Sequence, residues 1–443
     1  MKDTCFLDIV SVYDTPENRD CDALTEVYSN QPQMQKLISE LFAKRYDSEM
    51  FRSKRILIKP NWVKHSASDT DSVCLRTNDQ FLIALLEVIL KYKPESILIG
   101  DAPIQGCVWD KVVTEELINR INELSKKYSV AIRIKDFRRV VFNPSKNNPE
   151  TNRNPLSDYV IFDLGTESYL EPVTSENENV FRVTNYNPDR LAESHSKGVH
   201  KYCITKELFD ADIIISVPKV KTHQKTGVTA ALKNLVGLNG DKDYLPHHRL
   251  GGTEDGGDCY PGKNIFCYWA ELAIDFANRR QGKPLYWVGL RLSSLLWRLS
   301  RPSKEHYLSA GWYGNDTTWR MVLDLNKIIE YGNKDGSISK MPVRQLISVC
   351  DGIVGGQGDG PLKPTPLALG IVSLTNNSGA NDLAMAKLMR FDIRKIPMLN
   401  TITTILKKNK IDITFENKQI NMSDLEKFSI KTTPPPGWIN HLK

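Results

Sequence analysis

The chain places Lys219, Lys221, His223, Lys225, Thr229, Lys233 and Asn234 within one short stretch. Clustered ammoniums beside an imidazole that titrates near neutrality suit the capture of an anion and the movement of a proton next to it. Residues 211–217 have the apolar, β-branched composition of a strand buried on both faces. Residues 229–236 read as a helix ended by Gly237. We therefore expect an active-site loop at the C-terminal end of a strand, where open α/β sheets gather helix amides and side chains around ligands. Thr229 and Lys233, four apart, share a helix face, so Lys233 is expected to point back toward the same loop. The plainer alternative is a solvated basic turn in which His223 bonds a carbonyl. With a net charge of only +6 in 443 residues, four cations at one corner point instead to an anionic ligand held by Lys219, Lys221, Thr229 and Asn234.

Residues 239–262 follow, rich in glycine and aspartate, with no apolar periodicity and with the adjacent pair His247 and His248. Ordered loops of this length are usually functional. Two readings stand side by side. One is a metal set of His247, His248, Asp255, Asp258 and Cys259; the other is a lid that closes over substrate.

Polar residues also recur where apolar runs stop: Lys59-Pro-Asn61, Asp101-Ala-Pro103, Pro218-Lys219, Asp351-Gly352 and Thr375-Asn-Asn377. Proline ends a strand, and its polar neighbours are left on the binding edge. Lys59 and Asn61 are expected to touch substrate, and Asp101 and Asp351 to bind a metal or hydroxyl or to exchange protons. Gly355-Gly-Gln-Gly-Asp-Gly360 lacks the strand-to-helix setting of a dinucleotide fingerprint.

The elements that must position these residues alternate. Apolar runs near residues 5–12, 55–58, 96–100, 131–134, 213–217, 346–350 and 369–374 are separated by helical patterns at 34–44, 79–92, 110–127, 265–278 and 380–389. That order predicts an α/β fold with a mainly parallel sheet flanked by helices and long loop insertions. A single elaborated domain over residues 1–443 is expected, with an irregular insertion at about 136–195, the lid-like loop and an amphipathic helical insertion at about 284–302. That last insertion, Leu-Tyr-Trp-Val-Gly-Leu-Arg-Leu-Ser-Ser-Leu-Leu-Trp-Arg-Leu flanked by Arg279, Arg280, Lys283 and Arg301, is shorter than a bilayer span. It suits a membrane interface, the protein's own core or a second copy.

Ile58-Lys-Pro-Asn-Trp, Gly100-Asp-Ala-Pro, Val217-Pro-Lys-Val-Lys-Thr-His, Thr229-Ala-Ala-Leu-Lys-Asn-Leu-Val-Gly, Asp351-Gly-Ile-Val-Gly-Gly and Ala380-Asn-Asp-Leu-Ala together resemble the family called domain of unknown function 362. With Gly314-Asn-Asp-Thr-Thr-Trp-Arg and Asp359-Gly-Pro-Leu-Lys-Pro-Thr-Pro, the chain looks like the family's long members, encoded among bacterial surface-polysaccharide genes. Asn377 stands where the family usually has aspartate. Many members append a ferredoxin-like cysteine cluster, but here eight cysteines are scattered with no Cys-x-x-Cys, so no iron–sulfur cluster is expected. The spacing of His223, Gly227 and Lys233 is similar to the cofactor loop of nickel-pincer lactate racemases, a resemblance that implies His223 as general base and Lys233 as the anchor of a cofactor or of developing negative charge.

The amino terminus lacks a secretory apolar run, which predicts a cytoplasmic protein with reduced thiols, membrane-associated if the 284–301 helix binds lipid. No basic-aromatic module marks it for nucleic acid. The function expected is therefore an enzyme of racemase or epimerase type, moving a proton or hydride on a small anionic substrate such as a sugar or sugar phosphate. A divalent metal or a nickel-containing nucleotide is the expected cofactor. The alternative is a non-catalytic, ligand-binding or membrane-associated scaffold of polysaccharide assembly.

Overall fold

The computed structural model describes residues 5–13, 19–142, 150–152, 154–176, 179–300, 310–407 and 410–443. The amino-terminal residues 1–4 and Arg301 lie outside them.

Alternation along the central strands decides the architecture. Ile213, Ile215 and Val217 enter one apolar cluster and Ile214 the other, so the strand is buried on both faces. The same split holds for Ile56 and Ile58 against Leu57. Among the described residues, twelve strands share one sheet. In chain order they are β1 (Cys5–Ser11), β2 (Arg55–Pro60), β3 (Ser96–Asp101), β4 (Ala131–Asp136), β5 (Ile213–Val217) and β6 (Lys219–His223). They continue with β7 (Gly227–Thr229), β8 (Gln345–Asp359), β9 (Lys363–Leu367), β10 (Ile371–Thr375), β11 (Ile411–Phe415) and β12 (Lys418–Gln419). The spatial order is β12-β11-β1-β10-β8-β5-β2-β3-β4, with β6 and β9 paired to β8 and β7 to β6. Strands β8, β5, β2, β3 and β4 run parallel, while β10 is antiparallel to both its neighbours. The fold is α/β with a mixed, mostly parallel sheet.

Helices cover both faces. Gln31–Arg45, Asp79–Lys91 and Glu115–Tyr128 bury Ile38, Leu85 and Ile121 in one cluster, and Thr318–Tyr331 and Ser378–Leu388 bury Leu325 and Met385 in the other.

Four sequence expectations change. The loop expected after β5 is the strand β6, because Lys219, Lys221 and His223 alternate with Val220 and Thr222, the period of a strand. The helix expected over 229–236 shrinks to α1 (Ala231–Asn234) followed by a 3₁₀ turn. Strand β8 does not stop at Asp351 but runs to Asp359, carrying the glycine-rich segment through pairing with β9. The insertion at 136–195 holds regular pieces: Tyr159–Asp163 pairs with Val199–Thr205, and Phe181–Arg182 with His248–Arg249.

That second pair ties down the supposed lid. His248 and Asp258 are buried, Leu250 N bonds Val180 O at 2.9 Å, and Asp258 accepts from Arg249 N at 2.5 Å and Thr317 Oγ1 at 2.6 Å. In this structure residues 239–262 pack as a wall of the fold, apart from the exposed turn at residues 253–256.

Candidate functional site

The C-terminal ends of β2 and β3 deliver Lys59, Asn61 and Asp101 to a cavity of about 730 Å³. Strand β6 and the turn after it add Lys221, His223 and Lys225; Thr229, Lys233 and Asn234 come from β7 and α1; Lys242 and His247 come from the packed wall. Among the described residues the lining thus holds five lysines and two histidines against a single carboxylate, Asp101.

That carboxylate is already committed. Lys59 Nζ lies 2.8 Å from Asp101 Oδ1, and Trp62 N donates to Oδ2 at 2.7 Å. Gly237 backs directly onto the pair: a Cβ there would fall 1.8 Å from Asp101 Oδ1, which explains the glycine. Lys221 donates to Asn61 Oδ1 at 3.0 Å and to the Leu75 carbonyl, and Lys242 to Ala102 O at 2.9 Å. Lys225 Nζ and Thr229 Oγ1 are buried with no hydrogen-bond partner among the described residues.

Crowded, desolvated ammoniums give up protons readily. Burial, followed by the charges of Lys242, Lys225 and Lys59, pushes Lys233 down to about 7. Burial likewise takes Lys221 to about 7, and Lys225 and Lys242 to about 8. An anion entering the cavity restores these charges and gains their attraction.

The two imidazoles present opposite nitrogens. Lys225 N donates to His223 Nδ1 at 3.0 Å, so Nδ1 is the acceptor and the ring proton sits on Nε2. His247 Nδ1 lies 2.6 Å from the Leu245 carbonyl, which can only accept, so Nδ1 carries the proton and Nε2 keeps a free lone pair. Burial, with the lysines around them, holds both rings neutral, well below the ordinary histidine range. His223 is therefore a hydrogen-bond donor in this site and His247 the ring able to accept a proton. The base role expected of His223 does not fit its tautomer.

Other expected residues lie elsewhere. Lys219 and Asp351 pair at 3.0 Å behind the cleft, both with Tyr28, and do not line it. Asn234 lines the cleft but spends its amide on Lys59 O, Ser216 Oγ, Lys59 Nζ and Asn61 Nδ2. The amides opening α1 are not free for a ligand, because Asp382 accepts from Ala231 N at 2.7 Å and Leu232 N at 3.2 Å. Burial raises that carboxyl to about 7.

The expected metal set also separates. His247 faces the cleft, Asp255 pairs with Lys263 at 2.8 Å, and Asp258 is spent on backbone amides and Thr317. His248 instead joins Cys259 and Glu271, whose ligand atoms lie within 4.8 Å of one another, all three buried. His248 Nε2 stands 3.3 Å from Glu271 Oε1, His248 Nδ1 has no hydrogen-bond partner among the described residues, and burial lifts the Glu271 carboxyl to about 7. Sulfur, imidazole and carboxylate suit zinc or a similar divalent ion.

Sequence reading missed Lys242, whose loop carries no periodic signal. It missed Glu271 too, although a carboxylate four residues after Cys267, on the buried stripe of a helix, was a legible clue.

The model of one protein family matches residues 166–387, half of this chain. The chain belongs to the family described as domain of unknown function, DUF362. In this DUF362 protein the matched stretch contains Lys221, His223, Lys225, Lys233, Lys242 and His247, while Lys59 and Asp101 precede it. A crystal structure of a Thermotoga maritima protein, from a structural genomics consortium, is similar at 9% identity and a TM-score of 0.35, covering 76% of this chain and 53% of that one. The match therefore spans about half the length of that protein. No curated protein is significantly similar to the chain.

Proposed function

We propose that this DUF362 protein is an enzyme of isomerase type that binds a small anionic substrate, such as a sugar phosphate of a surface-polysaccharide pathway, in the 730 Å³ cleft and moves a proton on it. The observation that carries this reading is the five-lysine lining around a donor imidazole and an acceptor imidazole. In the step envisaged, His247 Nε2 takes a proton from a carbon beside a carbonyl or carboxylate. The electron pair moves onto the substrate oxygen, held by His223 Nε2–H and a protonated lysine; the enediolate then collapses as His247 returns the proton to the neighbouring carbon and the hydroxyl proton passes from the one oxygen to the other, so that carbonyl and alcohol exchange places. Atoms and charge balance without an oxidant. Such acid–base assistance is worth about 10²–10⁴ in rate.

Lys233, surrounded by other ammoniums, is the side chain suited to hold an anionic cofactor such as the nickel-containing nucleotide suggested by its spacing from His223. His248, Cys259 and Glu271 are the residues suited to a divalent ion. The scaffold alternative draws on the exposed apolar helices described next.

A panel of sugar phosphates and 2-hydroxy acids incubated with the protein in D₂O tests the proposal. Deuterium should enter one carbon of an accepted compound, and His247→Gln should abolish entry while binding persists. Tight binding of anions with no exchange in any member of the panel, by protein whose metal and cofactor content has been checked by native mass spectrometry, would favour the scaffold.

A further inference from the structure

The helices α2 (Ile265–Asn278) and α3 (Pro284–Leu299) pack against each other as a hairpin on the outside of the fold. Their backbones come closest at a glycine. Gly289 sits so close to α2 that a Cβ would fall 2.8 Å from Ala277 Cβ and 3.0 Å from Ala273 O. Only Tyr286, Gly289 and Ser293 of α3 are buried.

The opposite face is left open. Leu285, Val288, Leu292, Leu295 and Leu299 are 48–55% exposed and follow one another at spacings of three and four, forming a continuous apolar stripe. Trp269 and Phe276 of α2 and Trp287 of α3 are exposed as well. Soluble monomers rarely leave so large a contiguous patch uncovered.

Charge selects the occupant. Helix α3 contains Arg291 and Arg298, both exposed, and no acidic residue, and Lys283 and Arg280 lie at the bend between the helices. The acidic side chains of α2, Glu271 and Asp275, are buried. A second copy seated on the stripe would bring arginines against arginines. A bilayer carrying anionic headgroups complements the stripe, its tryptophans and its basic flank together. No helix among the described residues is long and apolar enough to cross a membrane, so the hairpin would lie in the interface.

We propose that the α2–α3 hairpin seats this protein on an anionic membrane surface. Tyr286 of α3 also lines the lysine cleft, so the seated face and the cleft share a wall. The docking stands whether or not the cleft is catalytic.

The full-length protein is to be sedimented with phosphatidylcholine vesicles and with phosphatidylcholine/phosphatidylglycerol vesicles, and its mass in lipid-free buffer measured by analytical ultracentrifugation. Wild type should co-sediment with the mixed vesicles and only weakly with phosphatidylcholine. Arg291→Gln/Arg298→Gln should lower the partition coefficient on mixed vesicles roughly 30-fold, at about 1 kcal/mol per basic side chain near the surface. Val288→Ser/Leu292→Ser/Leu295→Ser should lose binding to both while keeping the wild-type melting temperature, since those side chains are exposed. Wild type that ignores both vesicles overturns the proposal. So does serine-substituted protein that binds as well as wild type, or a lipid-free dimer that these serines dissociate.

Discussion

Lys219 Nζ and Asp351 Oδ2 lie 3.0 Å apart with neither side chain exposed, and the Tyr28 hydroxyl bonds both. Two residues along β6, Lys221 faces the cleft instead. Cation and anion at the first position cancel; in the cleft Asp101 offsets Lys59, and the remaining four lysines have no carboxylate among the described lining residues. Lys219→Met should therefore destabilise the fold by about 3–5 kcal/mol, the usual result of stranding a buried partner, and leave the anion affinity of the folded fraction unchanged. Lys233→Met should do the reverse, keeping or raising stability and lowering affinity at least tenfold through loss of one charge-assisted contact of about 1.5–3 kcal/mol. Urea unfolding and sulfate calorimetry on both variants separate the two.

Sulfate keeps its charge through neutrality, so its binding reports the protein's own titration. In the empty cleft Lys221 and Lys233 titrate near 7 and Lys225 and Lys242 near 8. A bound anion raises all of them, so protons are taken up on binding. Affinity should be greatest below about pH 7 and fall as pH rises through 7 to 8. Flat affinity across that window would mean that other groups hold the anion. In the empty protein the sign reverses: the unfolded chain holds the extra protons, so these lysines make stability rise from about pH 7 toward about pH 10.

Heteronuclear NMR of the imidazole nitrogens reads the tautomers directly. His223 should be protonated at Nε2 and His247 at Nδ1, both neutral at pH 6, below which an ordinary histidine charges. Matching tautomers in the two rings would remove the donor–acceptor pair from the mechanism.

Zinc titrated into metal-free protein should release protons, because Glu271 is held up near 7 and the buried Cys259 thiol well above its usual range. Calorimetry in two buffers of different ionisation enthalpy measures the release, and Cys259→Ser should weaken binding. Zinc that binds both proteins alike would leave His248, Cys259 and Glu271 as a hydrogen-bonded core.

The alternation of strands and helices was readable because β2, β3 and β5 are short runs rich in isoleucine. Lys59, Asn61 and Asp101 were readable because a strand ending in Lys-Pro-Asn or Asp-Ala-Pro must leave polar groups at the sheet edge. Which lysine keeps its charge uncompensated was not. Lys219 meets Asp351, 132 positions away, and the amides of α1 meet Asp382, 151 away from Ala231. Nothing local to either partner announces such pairings. The glycines and aspartates of 239–262 suggested mobility; in this structure Asp258 uses one oxygen to hold the segment to Asp316 and Thr317.

Asp382 has one further consequence. With the amides of α1 occupied, the cleft has no ready backbone cradle at that helix to fit the outline of an oxyanion, and no arginine fork appears among its lining residues. What remains is ammonium groups on flexible four-carbon stems, point charges without a preferred partner shape. A site of that kind counts charges instead of measuring contours. It should rank ligands by valence first, treating sulfate and phosphate almost alike while favouring a diphosphate steeply over either, and leave the choice among equally charged molecules to His223, His247 and the neutral walls around them.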